Sequence, residues 1–360
     1  MSSICEQVTS FGDKLFWEGF SRELISRHIP YSGSLALTNR CNLSCAHCYL
    51  KGDPALDLAD AEWSTDQWLK IISSIKEAGC LYLLLTGGDP LLREDFPEIY
   101  SHIKKNGFLV TVFSNGTLVS DRVADLFSEL PPRLVEISLY GANAEIHDRI
   151  TGVPGSFARA IQGIGKLIGL GINVGLKSVL MTLNQDEFPA IEGLARRYGV
   201  KFRTDAAIFP TLSGDRGPIG LRVSPQLAVA LEMADPERAR EWREFYKRFR
   251  MVPHGKQIFA CNAGRTTFHI DPDGTLFPCL IARSLKYSLE SGNFAEGWNE
   301  MARIRQLEAG GDFPCSRCEK KAICGFCPGL FELESGQSQV PSDYVCAIGR
   351  LRQESIMNEP

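Results

Sequence analysis

Between residues 33 and 208 the chain alternates short apolar runs with amphipathic helical stretches, and no other property of the sequence restricts the fold as tightly. The runs SLALT (34–38), LYLLLT (81–86), FLVTVFS (108–114), LVEISLY (134–140), INVGLKSVLMT (172–182) and KFRTDAAIF (201–209) read as strands. Each gap between them is long enough for a helix. Ser64 and Gln67 fit a capping box, Trp68, Ile71, Ile72 and Ile75 recur at helical spacing, and Gly79 suits the position after the C-cap. Asp95 with Glu98, Ser156 before Phe157, and Asn184 before QDEF mark three further helix starts. Strands joined through helices run parallel, so six such units predict an α/β sheet with outer helices, curled into a full or partial barrel. The polar segments that directly follow strands then meet at the C-terminal rim, where barrels of this kind do their chemistry.

Four of those segments stand out. CNLSCAHCY places Cys41, Cys45 and Cys48 within nine residues; TGGDP (86–90) and SNGT (114–117) follow the next two strands, and YGAN (140–143) the fourth. The chain has twelve cysteines, and all but Cys5 and Cys80 fall into two groups: the one above, and Cys261, Cys279, Cys315, Cys318, Cys324, Cys327 and Cys346. Clustered thiols in a reducing compartment read as metal ligands rather than disulfides. A cytosolic location is expected, because the N-terminus lacks an apolar h-region and no apolar run approaches a membrane span. The formal charge of −4 gives no overall basic field for nucleic acid or anionic membrane. By spacing alone, a zinc loop completed by His47 and a zinc knuckle in the second group remain open.

CxxxCxxC followed by Tyr49 resembles the signature of the radical S-adenosylmethionine superfamily. The resemblance implies a [4Fe–4S] cluster held by Cys41, Cys45 and Cys48, whose fourth iron is chelated by the methionine amino and carboxylate groups of S-adenosyl-L-methionine. TGGDP resembles the family's Gly-Gly-acidic-Pro segment. Gly87, Gly88 and Asp89 would then bind the methionine ammonium, with Asp89 standing where Glu is commoner. By the same resemblance Ser114 and Asn115 lie near the ribose, and Ser138 with Arg149 near the ribose and carboxylate.

The second cysteine group resembles the SPASM extension of these enzymes, so the expected fold is a partial (β/α)6 TIM-like barrel with a small C-terminal iron–sulfur domain. The division expected is an N-terminal extension (1–32), the barrel (33–210), a helical linker region (211–255), the SPASM domain (256–350) and a tail (351–360). The family's wiring implies two auxiliary [4Fe–4S] clusters, three in all: Cys261, Cys279 and Cys327 on one auxiliary cluster; Cys315, Cys318, Cys324 and Cys346 on the other. The first lacks an obvious fourth ligand, for which His269, Asp271 and Asp273 are candidates, although DPDG reads first as a turn and His269 as a strand residue.

The activity implied is reductive cleavage of S-adenosylmethionine to a 5′-deoxyadenosyl radical, followed by hydrogen abstraction from a ribosomally made precursor peptide. Haem precursors and small sugars or alcohols are the alternative substrates, and a non-catalytic iron–sulfur or zinc scaffold is the contrasting class. Sulfatase maturation is disfavoured, because that branch places an aspartate directly after the second early cysteine, whereas Cys279 is followed by Leu280. A flavodoxin- or ferredoxin-type protein would donate the electron. Only forty residues precede Cys41, too few for an independent leader-binding module, so for a peptide substrate leader recognition is expected from a separate small protein or is dispensed with.

Overall fold

The computed structural model describes residues 13–51, 62–249 and 256–358; Cys5 and His254 lie outside them. Helix α1 (Asp13–Ser26) leads into β1 (Ser32–Thr38), followed by α2 (Thr65–Glu77), β2 (Tyr82–Gly87), α3 (Phe96–Lys105), β3 (Leu109–Ser114), α4 (Asp121–Glu129) and β4 (Leu134–Ser138). Then come α5 (Ala144–Thr151), α6 (Ser156–Gly169), β5 (Val174–Val179), α7 (Phe188–Tyr198) and β6 (Lys201–Asp205). All six expected strands are present, and each pairs parallel with its neighbour in sequence. The fold is α/β, a parallel sheet with helical crossovers.

Helix starts follow the sequence only in part. The α2 capping box forms, with Ser64 and Gln67 bonding each other's backbone, and Gly79 takes a φ of 91° after the C-cap. At α3 the Asp95 carboxylate makes no cap bond and instead binds Arg93 and Thr65. Gly155, not Ser156, is the N-cap of α6, and the acceptor there is Asp148 of α5, which takes Gly155 N–H, the Ser156 hydroxyl and Phe157 N–H. Asn184 does not open α7, whose N-cap is Glu187; its side chain ties Met181 N–H to the Tyr140 and Val179 carbonyls.

The register puts two kinds of residue on two faces. Leu35, Leu37, Leu83, Leu85, Val110, Val112, Val135, Ile137, Val174 and Leu176 face the helices and are buried among Trp68, Ile72, Ile99, Ile103 and Ile164. Their alternates, Ser34, Thr86, Phe113, Ser138, Lys177 and Arg203, line a cavity enclosed by the curved sheet. A parallel sheet packed on both faces carries near-continuous apolar strands. Alternation here means that one face is not packed but open to a ligand.

Past β6 come α8 (Pro225–Met233) and α9 (Pro236–Phe249), the helices expected in the linker region. The cysteine-rich remainder adds strands to the same sheet. β7 (Thr267–Ile270) pairs parallel with β1, and the DPDG turn joins it to antiparallel β8 (Thr275–Phe277), which pairs with β9 (Tyr287–Ser288). The nine-stranded order is β6-β5-β4-β3-β2-β1-β7-β8-β9. Gly33 of β1 permits this junction: a Cβ there would lie 2.1 Å from the Phe268 ring. Helices α10 (Phe294–Met301), α11 (Pro328–Ser335) and α12 (Asp343–Asn358) complete the chain, with α12 packed on α8 and α9. Among the described residues no helix is long and apolar enough to cross a membrane.

Candidate active site

The loop after β1 carries Cys41, Cys45 and Cys48, and its backbone is fixed by the end of α5. Ser44 N–H donates to Thr151 O (2.8 Å) and Ala46 N–H to Ile150 O (2.9 Å), satisfying carbonyls that the helix terminus leaves free. Gly88 N–H and Asp89 N–H bind Thr38 O (2.8 Å) and Arg40 O (3.0 Å) from the other side. Here the glycines show why they are needed. Gly87 has a φ of 133°, and a Cβ on it would stand 2.0 Å from Thr38 O; one on Gly88 would stand 2.2 Å from Arg40 O. Their missing side chains make room for the cysteine loop first, and both residues also line the cavity.

Asp89 is fully buried beneath this junction. Its carboxylate accepts Leu91 N–H (3.0 Å), the Ser114 hydroxyl (2.9 Å) and Asn115 N–H (2.8 Å), clamping the TGGDP segment to the SNGT segment. Burial pushes its pKa up to about 6, against those hydrogen bonds, which favour the charged form. It stands behind the cavity wall rather than in it. Asn115 then closes the triangle, donating to Asn42 Oδ1 (2.9 Å) and to Cys41 Sγ (3.7 Å).

A cavity of about 530 Å³ opens against these loops. Of the residues expected at a cofactor site, Cys41, Cys45, Cys48, Tyr49, Gly87, Gly88, Ser114, Asn115 and Ser138 all line it. Arg149 does not: it is exposed, and its guanidinium donates to Leu183 O (3.1 Å). Residues not anticipated as site residues include Lys177, Arg203, Tyr140 and Ser34. His47, which spacing alone left open as a zinc ligand, is a wall residue whose ring meets Tyr140 edge-on at 4.5 Å. For Ser34, Lys177 and Arg203 the missed signal was a polar residue alternating with apolar ones along its strand. A further miss lies beneath the loop, where buried Arg93 donates to Leu37 O, Trp63 O and Asp95 while Glu62 receives the Thr38 hydroxyl, Asn39 N–H and Arg40.

The three loop thiols fit an iron–sulfur cluster. Burial, then repulsion from Cys48 and Cys41, raises the Cys45 thiol, and burial raises Cys41 to about 11, with the three sulfurs within electrostatic reach of one another. The second group separates into two neighbourhoods: Cys279 feels Cys327 and Cys261, whereas Cys315 feels Cys346, Cys324 and Cys318. No three His, Cys, Asp or Glu among the described residues converge tightly enough for a single ion. A cubane, whose irons sit at separate corners, takes thiolates spaced further apart. Of the candidates for a further ligand, His269 is held by Ser34 Oγ (2.7 Å) and Asp271 Oδ1 (2.9 Å), and Asp271 also by Arg283. Asp273 accepts Thr275 N–H in the DPDG turn.

The sequence profile of the Radical SAM superfamily matches residues 35–195. The chain is 30% identical over 292 residues to the mycofactocin maturase MftC of Mycobacterium ulcerans, covering 75% of each chain. It is 27% identical over 325 residues to the AdoMet-dependent heme synthase of Methanosarcina barkeri, covering 81% of this chain and 89% of the relative. Streptococcus suis SuiB, solved bound to its precursor peptide SuiA, superposes with a TM-score of 0.67 at 14% identity, covering 96% of this chain and 83% of SuiB. With its cysteine loop, double-glycine turn and enclosed cavity, the chain belongs to the radical SAM superfamily and is an enzyme whose cofactors are a [4Fe–4S] cluster and S-adenosylmethionine.

Proposed function

We propose that Cys41, Cys45 and Cys48 hold the catalytic cluster, and that the cavity beside them is where S-adenosylmethionine meets a ribosomally made peptide. The observation that carries this is the convergence of the cysteine loop, Gly87–Gly88 and Ser114–Asn115 on one cavity wall. The chemistry supplied by the bound cluster and S-adenosylmethionine is reductive homolysis to methionine and a 5′-deoxyadenosyl radical, which takes a hydrogen atom from an unactivated carbon. The protein's own task is positioning. Asp89 and Asn115 fix the loops against one another, Arg93 and Glu62 brace the end of β1, and the apolar walls from Phe113, Val179 and Ile208 keep water from the radical.

The cavity's size favours a peptide. Small-molecule sites run from roughly 300 to 1,000 Å³, so about 530 Å³ accommodates S-adenosylmethionine together with one side chain or chain end. A peptide needs to insert only that much. Named maturases among the relatives support the same choice. A haem precursor is the second reading, favoured by the named heme synthase among the relatives.

Cys261, Cys279 and Cys327, and separately Cys315, Cys318, Cys324 and Cys346, are proposed as ligands of two auxiliary clusters in a C-terminal domain of residues 256–350. They would take up the electron left on the product radical. A ferredoxin- or flavodoxin-type donor and a separate leader-binding protein complete the proposed partners. The test is anaerobic reconstitution, reduction with dithionite and chromatography for 5′-deoxyadenosine. Wild type should form it, and Cys45→Ala should not. A Cys45→Ala variant that keeps the wild-type yield sinks the cluster assignment.

A further inference from the structure

We infer that Lys177 is the docking point for a carboxylate of the substrate, an inference that rests on the cavity being where substrate meets S-adenosylmethionine. Lys177 lies on β5 level with Ser138, the last residue of β4, while Phe113 is level with Glu136, two residues deeper. The Lys177 ammonium stands 3.5 Å over the Phe113 ring. Its side chain therefore runs down from the strand ends into the barrel, below the loops that carry the cysteines.

The ammonium meets the π face of Phe113, but no carboxylate, carbonyl or hydroxyl among the described residues accepts a hydrogen bond from it, although burial lowers its affinity for a proton. The nearby acids are spent elsewhere. Glu136 is gripped by Arg203 through Nε (3.0 Å) and Nη2. Asp205 accepts Ala207 N–H (2.8 Å), and Asp89 has its three donors behind the wall. Arg203 flanks the same Phe113 ring at 5.4 Å, and its hydrogen bonds to Glu136 leave the Lys177 ammonium without an acceptor of its own among the described residues. The ammonium faces the cavity with no acceptor supplied by the described residues, so its donors are free for a ligand that enters there. An anion fits this place, and the anion a peptide offers is its C-terminal carboxylate or an acidic side chain.

The test is equilibrium dialysis of anaerobic holoenzyme with S-adenosylmethionine, using wild type, K177M and K177R, each checked for iron content and circular dichroism. Three pools of N-acetylated tetrapeptides serve as probes: free acids without Asp or Glu, the same sequences as C-terminal amides, and amides carrying one Glu. A second probe pair is coproporphyrin III and its tetramethyl ester. The expected result is retention of an acidic peptide pool roughly ten- to hundred-fold better than the neutral pool. K177M should lose this preference and K177R should keep most of it. Equal retention of acidic and neutral forms in both probe sets, or an unchanged preference in K177M, overturns the inference. So does a ten-fold loss of S-adenosylmethionine affinity in K177M, which would assign the ammonium to the cofactor. A Lys177-dependent preference confined to the porphyrin pair supports the inference and removes the peptide reading.

Discussion

Replacing Asp89 separates two roles that the sequence alone merges, ligand for the methionine ammonium and clamp between two loops. The carboxylate satisfies Leu91 N–H, Asn115 N–H and the Ser114 hydroxyl at 2.8–3.0 Å, and it is wholly buried. Asp89→Ala removes all three acceptors. A buried donor left unpaired costs about 1–3 kcal/mol, and three neighbours that relax together should cost about 3–5 kcal/mol in all. In a chain of 360 residues that is a fall in melting temperature of roughly 4–7 °C. Asp89→Asn keeps one oxygen and should cost about 1–3 kcal/mol, because its amide must face at least one N–H donor. Thermal unfolding of the reconstituted protein measures the first effect, and S-adenosylmethionine affinity of the folded fraction the second. Both should fall in Asp89→Ala, since Asn115, which touches Cys41, loses its anchor. Unchanged unfolding with lost affinity would refute the clamp and make Asp89 a direct ligand; no change in either would refute both roles.

Gly87→Ala should be at least as damaging, because φ is 133° and the new Cβ would meet Thr38 O at 2.0 Å; reconstituted iron and 5′-deoxyadenosine should drop together, whereas full loading would show that the turn can rearrange. Replacing both Cys315 and Cys318 by Ala should remove one cluster's worth of iron and abolish product while leaving some uncoupled S-adenosylmethionine cleavage; full product formation by a folded variant would count against the auxiliary assignment. Burial holds Lys177 down to about 8 from its ordinary 10.5, with Glu136, Arg203, Asp89 and His47 as the charged or titratable groups around it. Between those values the unfolded chain holds a proton that the folded one has lost, so wild type should gain stability relative to K177M as pH rises from about 8 towards 10.5, with no further change below about 8, where both states hold the proton. A stability difference that is flat across this window in denaturant titrations would show that Lys177 stays charged in the fold.

Local chemistry was legible in the sequence where the signal was itself local. The six strands, the α2 capping box and the three-cysteine loop each announce themselves within a dozen residues, and all are present. Signals failed where a second side chain competed for the group that the local pattern assigned to a cap, or where a strand's partner lies far along the chain. Ser156 carries a cap residue's chemistry, yet it donates to Asp148 of the preceding helix, which does the capping. Asp95 resembles a cap, but Arg93 holds it. The cysteine-rich tail gives no hint that Thr267–Ile270 will pair with β1, because a four-residue strand is specified by the neighbour it meets, here Gly33 making way for Phe268.

The same reasoning explains why the cavity residues were missed while the cofactor loops were found. Loops at the rim are read as motifs, one segment at a time. A cavity wall is read only after register is known, because Phe113, Ser138, Lys177 and Arg203 come from four different strands and share nothing in sequence except their place in a two-residue alternation. Strands β3, β4 and β5 also carry Val, Leu or Ile at the intervening positions, so a hydropathy average reports an ordinary buried strand. The alternation itself is the usable signal. In a chain whose helices already imply a parallel sheet, a strand that is polar at every second position has an unpacked face, and an unpacked face inside a barrel is where a substrate goes.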